Sequence, residues 1–450
     1  MNRPPVDAHR RADWLGQPRG LTILFLTEMW DQFSFYGMRS LLVYYLTKQL
    51  AFSQGRASLV YGGYAATVYL MPIFGGMVAD RWLGHRKAVL TGAAVMALGH
   101  FMMAFEVLLI PALATIALGN GLFLPSLPSQ IIGLYREDDP RRRSAFNIYY
   151  MGVNLGALAA PIVIGTVGEV WGWHWGFSLA GLGMLVAIAT YAAGSRYLPR
   201  DDGRRRSRQA TPAPTSGGVT HGFGLLIGVA AVIVVFRGAY EQLGNTVVLW
   251  ADAGVSRSAG QGFTIPATWF QCLNPLVVLL LTPVLVRRWT RAAQTGAEAS
   301  SGAKMATGAA LVATAFVALA FIAHRSHAAG VAVAWPWFAA FMVLLTVGEL
   351  FILPVGLGLF GRLAPAGLEA TTIAIWYSAG VLGNLLAGWL GTFWSIWPAS
   401  SFFAFIASVA LVSTLMLAAL ATRIRRAEDV YDRHSIGAIP EPVFQPKTAP

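Results

Sequence analysis

Apolar segments of roughly 20 residues, the length a helix needs to cross a bilayer, recur along nearly the whole chain. They fall near 20–48, 57–80, 87–106, 108–135, 145–168, 174–197, 222–251, 262–286, 305–324, 336–361, 369–391 and 400–422. This spacing predicts twelve transmembrane helices. Of 450 residues, 56% are hydrophobic and 12% are charged. Soluble domains carry about 25% charged residues, so the balance points to an all-α, polytopic membrane protein.

The net charge of +12 would suit a nucleic-acid partner if it were clustered on one surface. Its distribution argues against that. With both termini inside, 27 of the 33 Lys and Arg fall in cytoplasmic segments, 4 in external ones (Lys48, Arg56, Arg257, Arg325) and 2 within helices (Arg39, Arg237). This is the positive-inside pattern of a multi-pass protein in a cytoplasmic (inner) membrane, and no nucleic-acid partner is expected. Cys272 is the sole cysteine, which excludes an intramolecular disulfide and a cysteine-rich metal site. Residues 1–19 are polar and basic and read as a cytoplasmic tail rather than a signal peptide. Residues 199–221, rich in Arg, Asp, Pro, Ser and Gly, read as a cytoplasmic linker between six-helix halves at 20–198 and 222–424. A cytoplasmic tail at 425–450 completes the division.

The first segment contains Glu28-Met29-Trp30-Asp31-Gln32-Phe33-Ser34-Phe35-Tyr36-Gly37. A charged side chain at mid-bilayer costs about 2.5–3.5 kcal/mol on insertion scales, so such acids face cavities and act there. Glu28, Asp31 and Gln32 stand at i, i+3 and i+4, on one helical face. Two acids there are candidates to load and release protons as solvent access alternates. Glu241 and Glu349 are further intramembrane acids, against two intramembrane bases, Arg39 and Arg237. Arg237 and Glu241 lie at i, i+4, so they pair on one face or Arg237 reaches into the cavity. As a guanidinium it would suit a carboxylate, whether from Glu349, Glu28 or a substrate.

The loop Gly75-Gly76-Met77-Val78-Ala79-Asp80-Arg81-Trp82-Leu83-Gly84-His85-Arg86-Lys87 resembles the signature loop of the major facilitator superfamily. That resemblance implies two six-helix halves around a central cavity, with Asp80, Arg81 and Arg86 in a cytoplasmic latch. Within that superfamily several stretches resemble the proton-dependent oligopeptide transporter (POT) family. Helix 1 resembles its E-x-x-E-R-F-x-Y-Y-G motif, and Phe146–Leu158 its F-Y-x-x-I-N-x-G-S-L motif. Tyr240-Glu241-Gln242 is close to F-E-Q, and Trp269-Phe270-Gln271-Cys272-Leu273-Asn274-Pro275 to W-F-Q-S-L-N-P. Gly348-Glu349-Leu350-Phe351-Ile352-Leu353-Pro354 and Trp376-Tyr377 follow in order.

The resemblance implies a peptide-sized cavity near the midplane and a rocking, alternating-access cycle. It places substrate contacts on Tyr36, Tyr69, Asn154, Asn274, Glu349 and Trp376, with Glu349 taking the peptide's amino terminus. Such a set makes physical sense, since aromatic rims pack variable side chains and Asn amides hold a peptide backbone. Proton coupling falls on Glu28, Asp31 and Glu241. Two basic positions of the family pattern are altered: Gln32 stands for its arginine and Leu124 for its lysine. Arg237, where the family usually has tryptophan, is a candidate replacement for the lost charge. Arg39 is expected to be structural.

The expected function is proton-coupled symport of di- and tripeptides or peptide-like molecules by a monomer. A transporter or exporter of a cationic or carboxylate-poor peptide-like compound is the alternative, and a peptide sensor a third. No Walker loop, H-E-x-x-H or G-x-S-x-G is present, so neither an enzyme nor a metal or other cofactor is expected. Trp171, Trp173 and Trp175 read as a bilayer-interface anchor.

Overall fold

The computed structural model describes residues 16–136, 139–199, 219–260, 262–365 and 368–437. Its first six long helices are α1 (Arg19–Tyr44), α2 (Gln54–Leu83), α3 (His85–Met102), α4 (Glu106–Gly133), α5 (Ser144–Trp171) and α6 (Trp173–Tyr197). The second six are α7 (Phe223–Gly254), α8 (Ala267–Gln294), α9 (Ser301–Ala329), α10 (Trp335–Arg362), α11 (Thr371–Ser395) and α12 (Ala399–Arg433). Among the described residues, ten of these are long and apolar enough to cross a membrane. The other two, α1 and α3, carry Glu28, Asp31 and Arg39, or Arg86 and Lys87.

The two halves repeat one packing scheme. In the first, α1 packs on α5 and α6, while α3 packs on α4 and α6. In the second, α7 packs on α11 and α12, and α9 on α10 and α12. The halves meet through α2 against α11 and α5 against α8. Lipid supplies no hydrophobic drive for helices to associate, so close backbone approach at small residues does much of the packing. At the α2–α4 crossing, a Cβ on Gly75 would lie 2.0 Å from the Gly121 carbonyl oxygen.

Breaks in the helices follow from the sequence. Pro161 lacks an N–H and opens a π-helical turn, Pro161–Gly165, inside α5. The α-helical part of α7 stops at Tyr240; a 3₁₀ turn, Glu241–Gly244, follows, and helix resumes at Thr246. The first stretch of α10 ends at Leu350 and the second begins at Leu353, with Pro354 in its first turn. Irregular backbone at membrane depth is tolerated where it borders a cavity or is buried in protein. Glu241 opens one break and Glu349 precedes the other.

Some boundary expectations change. The last helix runs on to Gly437, through much of the tail expected from 425. Polar contacts carry it past the apolar span: Glu428 accepts from the Ser301 amide at 3.3 Å and its hydroxyl at 2.5 Å, and Arg362 donates to Asp432 at 2.9 Å. Arg86 donates to the carbonyls of Ser195 at 2.7 Å, Pro199 at 2.8 Å and Leu198, closing the end of α6 within its own half. Asp80 is exposed, with His85 3.6 Å away. Helix-end carbonyls without intrahelical partners draw the guanidinium. Residues 1–15, which make up most of the expected N-terminal tail, and 200–218 of the linker lie outside the described residues.

Candidate functional site

A cavity of about 230 Å³ lies between the halves. Its wall is formed by Gln32, Phe35, Tyr36 and Arg39 of α1, Tyr61, Tyr64 and Tyr69 of α2, Asn120 and Leu124 of α4, and Tyr377 and Asn384 of α11. A shallower depression of about 420 Å³ between α9 and α12, lined by Ala310, Ala313, Val317 and Leu411 among others, has no charged group in its lining. The chemistry is in the first.

Arg39 of this wall forms an ion pair with Glu241 of α7. Arg39 Nη2 donates to Glu241 Oε2 at 2.8 Å, across the two halves, and Arg39 Nε donates to the Tyr61 hydroxyl at 2.7 Å. Arg237 Nη1 donates to Glu241 Oε1 at 3.0 Å and to the Tyr69 hydroxyl at 3.2 Å. One carboxylate therefore stands between two guanidinium groups. Gln242 holds the break that presents it: its amide nitrogen donates to the carbonyls of Gly238 and Ala387, and its oxygen accepts from Thr246.

Glu349 is the second pole. Asn274 Nδ2 donates to its Oε2 at 2.6 Å and to the Tyr240 hydroxyl at 3.4 Å, which brings Tyr240 beside it. It lies within electrostatic reach of Tyr36, Tyr150 and Arg237.

Glu28 and Asp31 form a third group, both buried. One amide nitrogen, Gln32 Nε2, donates at 3.0 Å to Glu28 Oε1 and at 3.0 Å to Asp31 Oδ2. Tyr149 of α5 donates to Glu28 Oε2 at 2.5 Å. Asp31 Oδ1 and the Tyr64 hydroxyl are buried without a partner among the described residues. The hydrogen bonds to these two carboxylates come from neutral donors.

Contacts between the halves gather toward one end of the cavity. There Lys48 Nζ meets Asp252 at 2.6 Å, Arg257 bridges Asp252 at 3.2 Å to Glu169 at 3.7 Å, and Ser58 donates to Asn245 at 3.0 Å. Glu169 of α5 accepts from the amides of Ala267 at 3.0 Å and Thr268 at 2.8 Å, capping the start of α8. Near the other end, Tyr150, which faces Glu349 and Tyr69, is 46% exposed. Removing a partner of buried donors costs about 1–3 kcal/mol. Glu169→Ala is accordingly expected to lower the melting temperature in detergent, and an unchanged melting temperature would remove the cap from this account.

Among the residues singled out in the sequence, Tyr36, Tyr69, Gln32 and Leu124 line the cavity. Asn274 and Glu349 are brought together, as are Arg237 and Glu241. Asn154 is buried, its amide donating to the Tyr150 carbonyl one turn back at 2.9 Å. Trp376 packs 5.1 Å from the Phe360 ring inside the second half. Arg39, expected to be structural, lines the cavity and joins the halves. Its charge in a membrane helix was the available signal. Tyr149 was visible only as part of the Phe146–Leu158 stretch, and Glu169 and Gln242 carried no signal of their pairing.

The POT family model matches residues 86–206 and 224–404, more than half the chain. The chain belongs to the POT family. It is 31% identical to the peptide transporter YePEPT of Yersinia enterocolitica, over 84% of this chain and 88% of that one. It is 30% identical to a di-/tripeptide transporter of Lactococcus lactis subsp. cremoris, over 81% and 87%. A crystal structure of peptide transporter POT in complex with sulfate superposes with a TM-score of 0.83 at 26% identity, covering 94% of this chain and 99% of that one. Another, in complex with alafosfalin, gives 0.82 at 26%, covering 94% and 99%. The fold is that of the major facilitator superfamily, and the chain is a multi-pass membrane transporter rather than an enzyme. Both expectations hold.

Proposed function

We propose that this protein carries small peptides or peptide-like molecules across the membrane by alternating access, driven by protons and acting as a monomer. One observation carries the reading: Arg39, on the wall of the inter-half cavity, and Glu349, within electrostatic reach of Tyr36 on that wall, offer a guanidinium and a carboxylate on opposite halves. A peptide zwitterion presents the complementary pair, a terminal carboxylate and a terminal ammonium. Bidentate guanidinium–carboxylate contacts suit the first, and an acid flanked by Asn274 and Tyr240 suits the second. The relatives named as peptide transporters support the same substrate class.

The Lys48–Asp252–Arg257–Glu169 contacts hold the halves together in one state of an alternating cycle, and separating them would expose the cavity on that side. The Arg and Lys distribution supports an inner-membrane location with both termini cytoplasmic. Glu28, Asp31 and Glu241 are the candidate proton carriers. Glu28 and Asp31 accept their hydrogen bonds from neutral donors, so the arrival of a proton on either breaks no ion pair.

Uptake into proteoliposomes under an imposed pH gradient tests the substrate class. A simple dipeptide is expected to accumulate, and its C-terminally amidated form to enter at least about tenfold more slowly, since a charge-assisted bond contributes about 1.5–3 kcal/mol. Equal uptake of the two would remove the guanidinium pole as a carboxylate receptor. No uptake of either, across a panel of peptides, would overturn the peptide reading.

A further inference from the structure

Glu241 is held from two sides, and the two arginines are not equivalent. The Arg39 side chain is 24% exposed and lines the cavity, whereas the Arg237 and Glu241 side chains are each 6% exposed. Arg237 is fixed where it stands. Its Nη1 is shared between Glu241 and the Tyr69 hydroxyl, its guanidinium lies 4.9 Å from the centre of the Tyr69 ring, and its side chain packs against Gly383 of α11.

This asymmetry matters when a substrate carboxylate binds Arg39. Each new bond to the substrate competes with the Arg39–Glu241 pair. If Arg39 were the sole partner, Glu241 would be left buried and charged with no cation, a state that proteins avoid by taking up a proton. With Arg237 on its other oxygen, Glu241 keeps a partner.

We propose that Arg237 is a positioning residue that holds Glu241 when substrate takes Arg39, so that binding at the guanidinium pole requires no proton on Glu241. This rests on the reading of the protein as a peptide transporter and narrows its three candidate proton carriers to two. Glu241 acts as the fixed counter-charge of a gate, and the coupling proton is left to Glu28 and Asp31. The other titratable groups that face Glu241 are Tyr61 of α2, Tyr240 on its own helix and Glu349 of α10, with Tyr69 of α2 held by Arg237. The cations among these neighbours are Arg39 and Arg237.

The test is the slope of dialanine affinity against pH, measured by counterflow in proteoliposomes, where no gradient is needed. Each proton taken up with substrate adds about a tenfold loss of affinity per pH unit as pH rises. Arg237→Leu is expected to be steeper than wild type by one such proton, Arg237→Lys to restore the wild-type slope, and Arg237→Leu/Glu241→Gln to restore it too. Glu241→Gln alone keeps the wild-type slope even as its affinity falls. An Arg237→Leu slope equal to wild type overturns the proposal, because a purely structural ion pair would change stability and leave the slope alone. A Glu241→Gln slope shallower than wild type by one proton also overturns it, by making Glu241 the carrier. Wild type that shows no counterflow with any peptide overturns the peptide reading itself, and this proposal with it.

Discussion

Glu28→Gln is expected to abolish uphill accumulation of a dipeptide under a pH gradient while leaving counterflow in place. The glutamine keeps the shape of the side chain, and its amide can still meet Tyr149 and Gln32. It cannot carry a proton. One proton moving down a gradient of one pH unit supplies about 1.4 kcal/mol, which drives about tenfold accumulation of a co-transported solute. Wild-type vesicles should approach that ratio and Glu28→Gln vesicles should stop at equal concentrations on both sides. Counterflow needs the cavity and the rocking motion but no net proton movement, so it reports folding and access separately. Asp31→Asn makes a useful companion, because Gln32 donates to both acids through one amide nitrogen. Normal accumulation in both variants would take this pair out of the proton path.

Gly62→Leu is expected to reduce both uptake and counterflow to background while the protein still folds. Where α2 meets α11 the two touch through backbone. A Cβ on Gly62 would lie 2.6 Å from Gly388 Cα, 2.7 Å from the Asn384 carbonyl oxygen and 2.8 Å from Gly388 N. Nothing there is a flexible side chain that could swing aside, so a four-carbon side chain must wedge the helices apart. The wedge acts on the interface between halves and leaves the packing within each half intact. The neighbouring Gly63 is the control, because a Cβ there meets nothing within 4 Å and Gly63→Leu should transport. Because Cys272 is the sole cysteine, a cysteine-free background gives a direct readout. Cysteine at Ser58, which is buried at this contact, should become reactive to an impermeant thiol reagent only in the Gly62→Leu protein. A Gly62→Leu transporter with normal counterflow would show that this glycine contact is not required for closure.

The two variants draw on different layers of information. Glu28 and Asp31 stood out along the chain because a carboxylate in an apolar span is costly wherever the helix packs. Gly62 is one of 48 glycines, and only the approach of α11 makes it critical. The same division holds for the arginines. Arg237 and Glu241 were linked by helical spacing alone, four residues apart. Arg39 and Glu241 are 202 residues apart, and no local periodicity relates them.

The sequence by itself determined the succession of apolar helices, the family, and the presence of four acids and two bases within them. These follow from lipid as solvent, which demands continuous apolar helices and penalises each buried charge separately. Only the tertiary structure decided how the charges are shared: two guanidinium groups on Glu241, an amide and a phenol on Glu28, and Asn274 with Tyr240 on Glu349. It also decided that Arg39 belongs to the cavity. Pairing between helices depends on which faces meet, and in a uniformly apolar span the hydrophobic pattern that orients a soluble helix is missing. Contacts at small residues and at the breaks in α7 and α10 set those faces instead, and they exist only once the halves have come together.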